Sequence, residues 1–345
     1  MSKWFNLYSF DVMGDLGFGK PFNMLESGEM HWAIKLLNAG MDPVGMGLPP
    51  WIFRVLVAIP GAAKDYHRFI QYCSKQLEDR MKMQGKMGDP DITHALIEDF
   101  NKKDAAAQKT NLPMLQGDSR LIIVAGSDTT AATLTHLFYH IASEPGLLQR
   151  LRDELDPLLG EDGHVEHQTV QDATLLNSCI NETLRMNPPV PSGVFRKTPE
   201  EGVYIGETYV PGNTCIQMPL YAIGHGKTDC HPSSFTLSCP TLTDTSTDDS
   251  IYPQAEVFIP ERHSFRPDLI KNKEAFAPFS IGPYGCIGKN LAYMEVRLLT
   301  THLITKFDVA LAPGEDGYNL LMRSVDHFTM GLGPLNLVFT RRSRK

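Results

Sequence analysis

The run Phe279-Ser280-Ile281-Gly282-Pro283-Tyr284-Gly285-Cys286-Ile287-Gly288-Lys289-Asn290 sets one cysteine in a glycine-spaced loop that leads into an amphipathic stretch. Gly282, Gly285 and Gly288 lack a Cβ, so the backbone there can turn sharply and approach a large planar ligand. A helix beginning near Gly288, with Leu291, Met294, Val296 and Leu298 as its apolar residues, offers unpaired N–H groups and the positive end of its dipole. Both favour the thiolate form of a cysteine placed there. A thiolate is the axial haem ligand that pushes electron density towards O–O cleavage. Taken alone, the motif fits a buried structural cysteine ahead of a helix equally well.

Two further constellations could carry chemistry. Ala125-Gly126-Ser127-Asp128-Thr129-Thr130 stands inside a long apolar helical pattern. Ser, Asp, Thr and Gly weaken a helix interior, so this stretch predicts a locally loosened turn where an acid beside a hydroxyl relays protons to a small ligand. A bend with satisfied hydroxyls is the plainer alternative. Glu182 and Arg185 lie at i and i+3 on one helix face. On a surface such a pair contributes little; inside an apolar helix it needs further partners, and Arg262 in Pro260-Glu261-Arg262 is the third member expected. Three patterns lead nowhere. Gly14 to Lys20 has the spacing of a phosphate loop, but Pro21 replaces the magnesium-holding Ser/Thr. His136 and His140 lack the metalloprotease glutamate, since Leu137 takes its place. Cys230, His231 and Cys239 lack a fourth zinc ligand at the usual spacing.

The elements that must position these residues are mostly helical. Helical spacing covers 65–82, 91–103, a long buried helix from after Gly117 to Ser143, then Pro145–Leu159 and 173–187. Short β-rich runs with turns at Glu200-Glu201-Gly202 and Pro211-Gly212 fill 194–220, and strands are expected near 307–311 and 335–340. The chain has 345 residues, 42% hydrophobic and 21% charged, which suits a soluble globular protein with a sizeable core. A net charge of −8 without a Lys/Arg run excludes a nucleic-acid binder. Cys73, Cys179, Cys215, Cys230, Cys239 and Cys286 form no tight framework, which fits a reducing compartment. The apolar stretch 44–63 holds Pro49, Pro50, Pro60 and Arg54, so it fails as a spanning helix. It reads as a core segment, with a bilayer-dipping surface anchored by Trp51 and Phe53 as the alternative. The Ser/Thr/Asp-rich segment 226–250 has no periodicity and is uncommonly long for a loop inside a domain. Gly226-Lys227 can be encoded with a splice-donor sequence, so the segment is expected to be a retained intron, or else a natural insertion.

With these motifs in order, the chain resembles the cytochrome P-450 haem-thiolate monooxygenases. Phe-x-x-Gly-x-x-x-Cys-x-Gly matches at Phe279, Gly282, Cys286 and Gly288, Ala-Gly-x-Asp-Thr-Thr at Ala125–Thr130, Glu-x-x-Arg at Glu182 and Arg185, and Pro-Glu-Arg at Pro260–Arg262. The wording of Tyr8–Phe22 and Phe279–Arg297 looks most like microsomal members from filamentous fungi. The resemblance implies one domain over 1–345, mainly α with small β-sheets, lacking the N-terminal portion of that architecture. It implies haem b, with Cys286 as the axial iron ligand and Phe279 covering the sulfur side. Asp128 and Thr129 would deliver protons during oxygen activation. Arg196 would pair with a haem propionate; Glu182, Arg185 and Arg262 would be structural. Substrate contacts would come from Leu121–Ala125, Val190–Phe195, 44–60 and Phe328–Leu332. The reaction implied is insertion of one oxygen atom from O2 into a small hydrophobic organic substrate, a hydroxylation or epoxidation in secondary metabolism. Electrons would come from NADPH through NADPH-cytochrome P-450 reductase, with Lys289 among the residues facing it. The setting implied is the cytoplasmic face of the endoplasmic reticulum, with peripheral contact through 44–60 and no anchor in this chain. Two departures stand out: Tyr284 occupies the place of a propionate-binding Arg, and Met1 aligns with the family's middle. They leave two alternatives, a truncated haem-binding product without turnover and a reductase-independent haem isomerase or peroxygenase; the intact Asp128-Thr129 pair speaks against the latter.

Overall fold

The computed structural model describes residues 1–36, 50–59, 61, 64–83, 91–226 and 250–343. The chain divides into two compact units, Met1–Thr135 and His136–Lys345.

In the first unit, the helix Ser2–Phe18 stops at Gly19, whose left-handed backbone (φ 69°) returns its N–H to Asp15 O. Gly14 to Phe18 are therefore helix interior, and the phosphate-loop spacing carries no loop. The buried Asp11 carboxylate accepts the Met24 and Leu25 N–H groups at 3.0 and 2.8 Å and so caps the short helix Met24–Ser27. Leu7, Phe10, Phe18, Met24, Phe69, Cys73 and Ile123 form one core, drawn from the first helix, the short helix Met24–Ser27, the helix Lys64–Lys82 and the long helix. A second core joins Leu77, Ile97, Phe100 and Leu115. Asp91 caps the helix Ile92–Asn101 by accepting the His94 N–H at 2.6 Å, and its other oxygen accepts Arg80 Nε at 2.6 Å.

The long helix runs Ala105–Ser143, thirteen residues further back than its sequence signals suggest. Asp104 supplies the start, accepting the Ala107 N–H at 2.8 Å, and three alanines follow. Pro113 and Gly117 lie inside the helix. Each carries a propensity cost, and the burial of Leu115 in the second core offsets it. This helix is long and apolar enough to cross a membrane, yet 61% of that apolar window is buried, as in the core helix of a soluble fold.

The helix Pro50–Ala58 corrects the core reading of the apolar stretch. Trp51, Val55 and Ile59 are 66%, 53% and 47% exposed, so these positions are not core. Residues 44–49 and 60 and the Phe53 side chain lie outside the described residues. So do 227–249, the bulk of the Ser/Thr/Asp-rich segment, with Cys230, His231 and Cys239.

In the second unit, the helices Leu147–Leu155, Thr174–Met186 and Lys289–Lys306 pack through Leu151, Leu155, Leu176, Cys179, Ile180, Val296 and Ile304, all buried. Buried Arg152 ties the first to the end of the third, donating to Ile304 O at 2.8 Å and Phe307 O at 2.7 Å. Among the described residues the β-structure is four two-stranded antiparallel ladders. β1 (Phe195–Lys197) pairs with β4 (Cys215–Gln217), and β2 (Val203–Ile205) with β3 (Thr208–Val210). β5 (Phe307–Leu311) pairs with β8 (Leu337–Arg341), and β6 (Val325–His327) with β7 (Thr329–Gly331). The β6–β7 turn is a single residue, Phe328, at φ 81°. Asp326 accepts the Phe328 N–H at 2.9 Å on one oxygen and the Ser192 hydroxyl on the other. The expected strands and most helices are thus present.

Gly193 marks the tightest approach ahead of β1. It sits at φ +71°, and a Cβ there would lie 1.9 Å from Met218 O. Gly193→Ala is expected to lower stability by about 3 kcal/mol or more in urea unfolding, since strain and a backbone clash add. Gly206→Ala, at φ +59° in open space, should lose about 1 kcal/mol. Equal losses would mean that the Met218 contact is unimportant.

Candidate functional site

The cysteine loop is built by backbone bonds. Ser280 and Gly282 both adopt positive φ, 60° and 77°, which folds the chain into the turn Gly282–Tyr284. Gly285 N–H donates to Gly282 O at 2.9 Å, and Cys286 N–H donates to Phe279 O at 2.8 Å. The helix Lys289–Lys306 then starts from Gly288, as its spacing predicts. Cys286 is an exposed free thiol, so the buried-cysteine alternative fails. Around it Ile281, Tyr284 and Ile287 stand 69%, 78% and 103% exposed. A cluster of bare apolar side chains of this kind marks a ligand or partner surface. Arg196 on β1 lies against the same loop, donating to Ser280 Oγ at 3.2 Å and Tyr284 O at 3.4 Å. The Phe279 ring is partly buried and tilted against Tyr293 at 5.2 Å.

These residues fit a haem better than a bare ion. Among the described residues no three His, Cys, Asp or Glu side chains gather as a metal site. A lone thiolate can serve a metal that brings its own equatorial donors, and the loop's open apolar flank suits a flat macrocycle.

The same unit holds a buried charge cluster. Glu182 Oε1 accepts Arg185 Nη2 at 2.8 Å, Arg262 Nε at 2.8 Å and the Ile259 N–H at 3.0 Å. Its Oε2 accepts Arg185 Nε at 2.9 Å and meets His263 Nε2 at 3.0 Å. Arg262 also donates to Pro253 O at 3.1 Å, Leu269 O at 2.9 Å and Gln254 O at 3.2 Å. Burial alone would raise the Glu182 pKa; the His263 and Arg185 hydrogen bonds and the charges of Arg185 and Arg262 outweigh it and hold the group at about 2. The surface-pair alternative is excluded, because Glu182 and Arg262 are both fully buried.

In the first unit, Asp128 and Thr129 stand on an uninterrupted helix, not a loosened turn. The polar side chains are absorbed by back-bonding: Ser127 donates to Ile123 O at 2.7 Å, Thr129 to Ala125 O at 2.7 Å and Thr130 to Gly126 O at 3.0 Å. Gly126 serves packing instead, since a Cβ there would meet Met13 Sδ at 2.5 Å. Asp128 is partly buried, and loss of water around its carboxyl raises its pKa to about 6 against the lowering pull of the Asn6 amide. His136 and His140 are buried; His140 stacks on Phe258 with centroids 3.9 Å apart and stays neutral, burial lowering its pKa to about 4. Of the apolar residues expected to meet substrate, Leu121, Phe195 and Phe328 are exposed at 60%, 61% and 44%.

Sequence reasoning missed three residues. His263 completes the Glu182 cluster, and its place directly after Arg262 was an available signal. Asn6 touches Asp128 from 122 positions away, and no local pattern could have shown it. Glu295 is a buried carboxyl on the cysteine helix whose pKa burial raises to about 8; its burial was readable only with the packing known.

A profile described as Cytochrome P450 matches residues 1–238 and 236–337. The chain is 42% identical over 344 residues, all of its length, to the cytochrome P450 monooxygenase lcsK of Purpureocillium lilacinum, of which it covers 59%. It is 39% identical over 343 residues to the tryprostatin B 6-hydroxylase of Aspergillus fumigatus, covering 57% of that protein and 99% of this one. The chain thus spans less than two thirds of the length of these curated relatives. A crystal structure of a cytochrome P450, CYP102L1, superposes with a TM-score of 0.73 at 20% identity, over 99% of this chain and 68% of that one. It shows the same fold.

The Glu182 cluster makes stability depend on acid. Because the folded-state pKa lies below the ordinary 4.5, its contribution is full above that pH and is lost as the pH falls towards about 2. Glu182→Gln should lower stability by about 3–5 kcal/mol at neutral pH. In urea unfolding, the gap between parent and variant should narrow from pH 4.5 downwards. A gap independent of pH would refute the charged state of Glu182.

Proposed function

The chain belongs to the cytochrome P450 family, and on that premise we propose that it binds haem b through Cys286 and acts as a monooxygenase of fungal secondary metabolism. The substrate proposed is a small hydrophobic organic molecule that receives one oxygen atom from O2, by hydroxylation or epoxidation. The observation that carries this reading is the exposed Cys286 thiol at the mouth of a helix, on a glycine-built loop with an open apolar flank.

When bound, the haem would supply oxygen activation, at an iron that the Cys286 thiolate would hold and make electron-rich. The chain's residues do the rest. The Cys286 N–H bond to Phe279 O fixes the sulfur's direction, and the Phe279 ring shields its proximal side and tunes its donor strength. Arg196, which lies against the loop, would pair with a propionate. Asp128, with a pKa of about 6, can release and regain a proton near neutral pH, as a relay requires. The Thr129 hydroxyl, parked on Ala125 O, can turn to pass that proton on. Exposed Phe195 and Phe328 offer apolar contacts to the substrate.

Electrons are proposed to come from NADPH through NADPH-cytochrome P-450 reductase, with Lys289 among the residues that face it. Trp51 and Val55, exposed on one short helix, and exposed Ile59 just past its end support peripheral contact with the endoplasmic reticulum membrane on its cytoplasmic side.

Two variants test the proposal. Purified and reconstituted with haem, the chain should give the red-shifted carbon-monoxide difference band of a thiolate-ligated haem, and Cys286→Ala should abolish it. Survival of the band in that variant would assign the iron to another residue. Thr129→Ala should keep the band while product formed per NADPH consumed falls about tenfold or more. Unchanged coupling would remove Thr129 from proton delivery.

A further inference from the structure

Helix Ser2–Phe18 packs on the long helix in the opposite sense. Gly17 lies by Ile122, with 3.2 Å between a Cβ on the glycine and Ile122 Cγ2, and Met13 lies against Gly126. One end of this pair brings Asn6 to Asp128, where Asn6 Nδ2 donates to Asp128 Oδ1 at 3.2 Å. Asn6 Oδ1 is buried and has no hydrogen-bond partner among the described residues. An unpaired buried amide oxygen is costly, so its presence beside a titratable carboxyl calls for a reason.

We propose that Asn6 is the positioning residue of Asp128, holding the carboxyl in both of its protonation states with one amide. To the carboxylate, Nδ2 donates, as the structure shows. When Asp128 takes up a proton it becomes a donor itself, and a half-turn of the amide about its last side-chain bond presents Oδ1 to accept that O–H. The proton comes from and returns to solvent, and no other bond changes. The carboxyl therefore keeps its place while its charge changes, and the oxygen left idle in one state is used in the other.

Surrounding charges do not compete for this role. Asp11, on the same helix as Asn6, is occupied by the Met24 and Leu25 N–H groups. Arg120, two turns before Asp128 on the long helix, acts on Cys73. Among the described residues the influences on the Asp128 carboxyl are its burial and the Asn6 hydrogen bond. The hydrogen bond favours the charged form and burial the neutral one, so Asn6 also sets where the group titrates.

The inference rests on the proton-delivery reading of Asp128 only for its catalytic meaning; the pairing itself can be measured apart from turnover. The experiment is an infrared pH titration of the purified full chain, with the Asp128 carboxyl band identified by its loss in Asp128→Asn. Asn6→Leu removes both amide atoms, and Asn6→Ser, with a hydroxyl too short to reach, serves if the leucine variant does not fold. Two shifts are expected. The titration midpoint should rise by roughly one pH unit, as loss of a hydrogen bond to a charged group requires. The carbonyl band of protonated Asp128 should move to higher wavenumber, because its O–H has lost an acceptor. No change in either overturns the proposal, and a midpoint shift without a band shift overturns the turning amide. If both shifts appear but the coupling of NADPH consumption to product in the haem-loaded variant equals that of the parent, the positioning stands and the proton-delivery reading of Asp128 fails.

Discussion

The second unit depends on one buried carboxylate. Glu182 uses both oxygens to gather two guanidiniums, a ring nitrogen and a backbone N–H from two stretches of chain, its own helix and the segment 259–263. Such a cluster is tolerated in a dry interior only because its charges and donors are almost all paired; removing one partner would leave the others exposed to a medium that cannot solvate them. Arg262 extends the cluster by donating to carbonyls at Pro253, Gln254 and Leu269, which have no regular ladder to satisfy them. A segment whose regular structure is two short 3-10 turns, Pro260–His263 and Pro267–Leu269, thereby gains a fixed course. His263 carries the constraint onward, its ring tilted against Phe276 at 4.9 Å, ten residues ahead of Cys286.

Burial acts on three carboxyls here, and their partners decide the outcome. Glu182, surrounded by cations, stays ionised down to a pH of about 2. Asp128, given one amide donor, titrates near 6. Glu295, with Oε2 unpaired among the described residues, is held neutral until about 8. The same desolvation therefore yields a structural anchor, a group poised to exchange protons, and a neutral core side chain. Depth alone distinguishes none of them.

Much of this was legible in the sequence, and the failures have physical causes. Periodicity located the helices Lys64–Lys82, Thr174–Met186 and Lys289–Lys306 and the strands Phe307–Leu311 and Leu337–Arg341 closely, because each carries one buried face and a clear stop. The start of the long helix was misplaced because Gly117 and Pro113 are poor helix residues, and tertiary contacts of Leu115 override them. The Ser127–Thr130 stretch misled for a related reason: hydroxyls that compete with the ladder in a peptide can instead back-bond to it without breaking it. The apolar helix at Pro50–Ala58 read as core because hydrophobicity says what a residue prefers, and not whether anything covers it. The Glu182–Arg185 pair was legible because its i, i+3 spacing is local, and Arg262, 80 positions on, because it stands in the Pro260-Glu261-Arg262 element and a buried pair needs a third member. Asn6 was hidden because its meaning exists only after two helices have packed.

Phe328 shows where folding is not the controlling demand. At φ 81° on a one-residue turn, a bulky side chain occupies backbone space that glycine enters without penalty. The strain is of order 1–3 kcal/mol, and Asp326, itself gripped by Ser192, holds the turn against it. A chain shaped for durability alone would place glycine at this point. Phenylalanine there gives up some of that durability and sets a partly exposed aromatic ring at the tip of the hairpin.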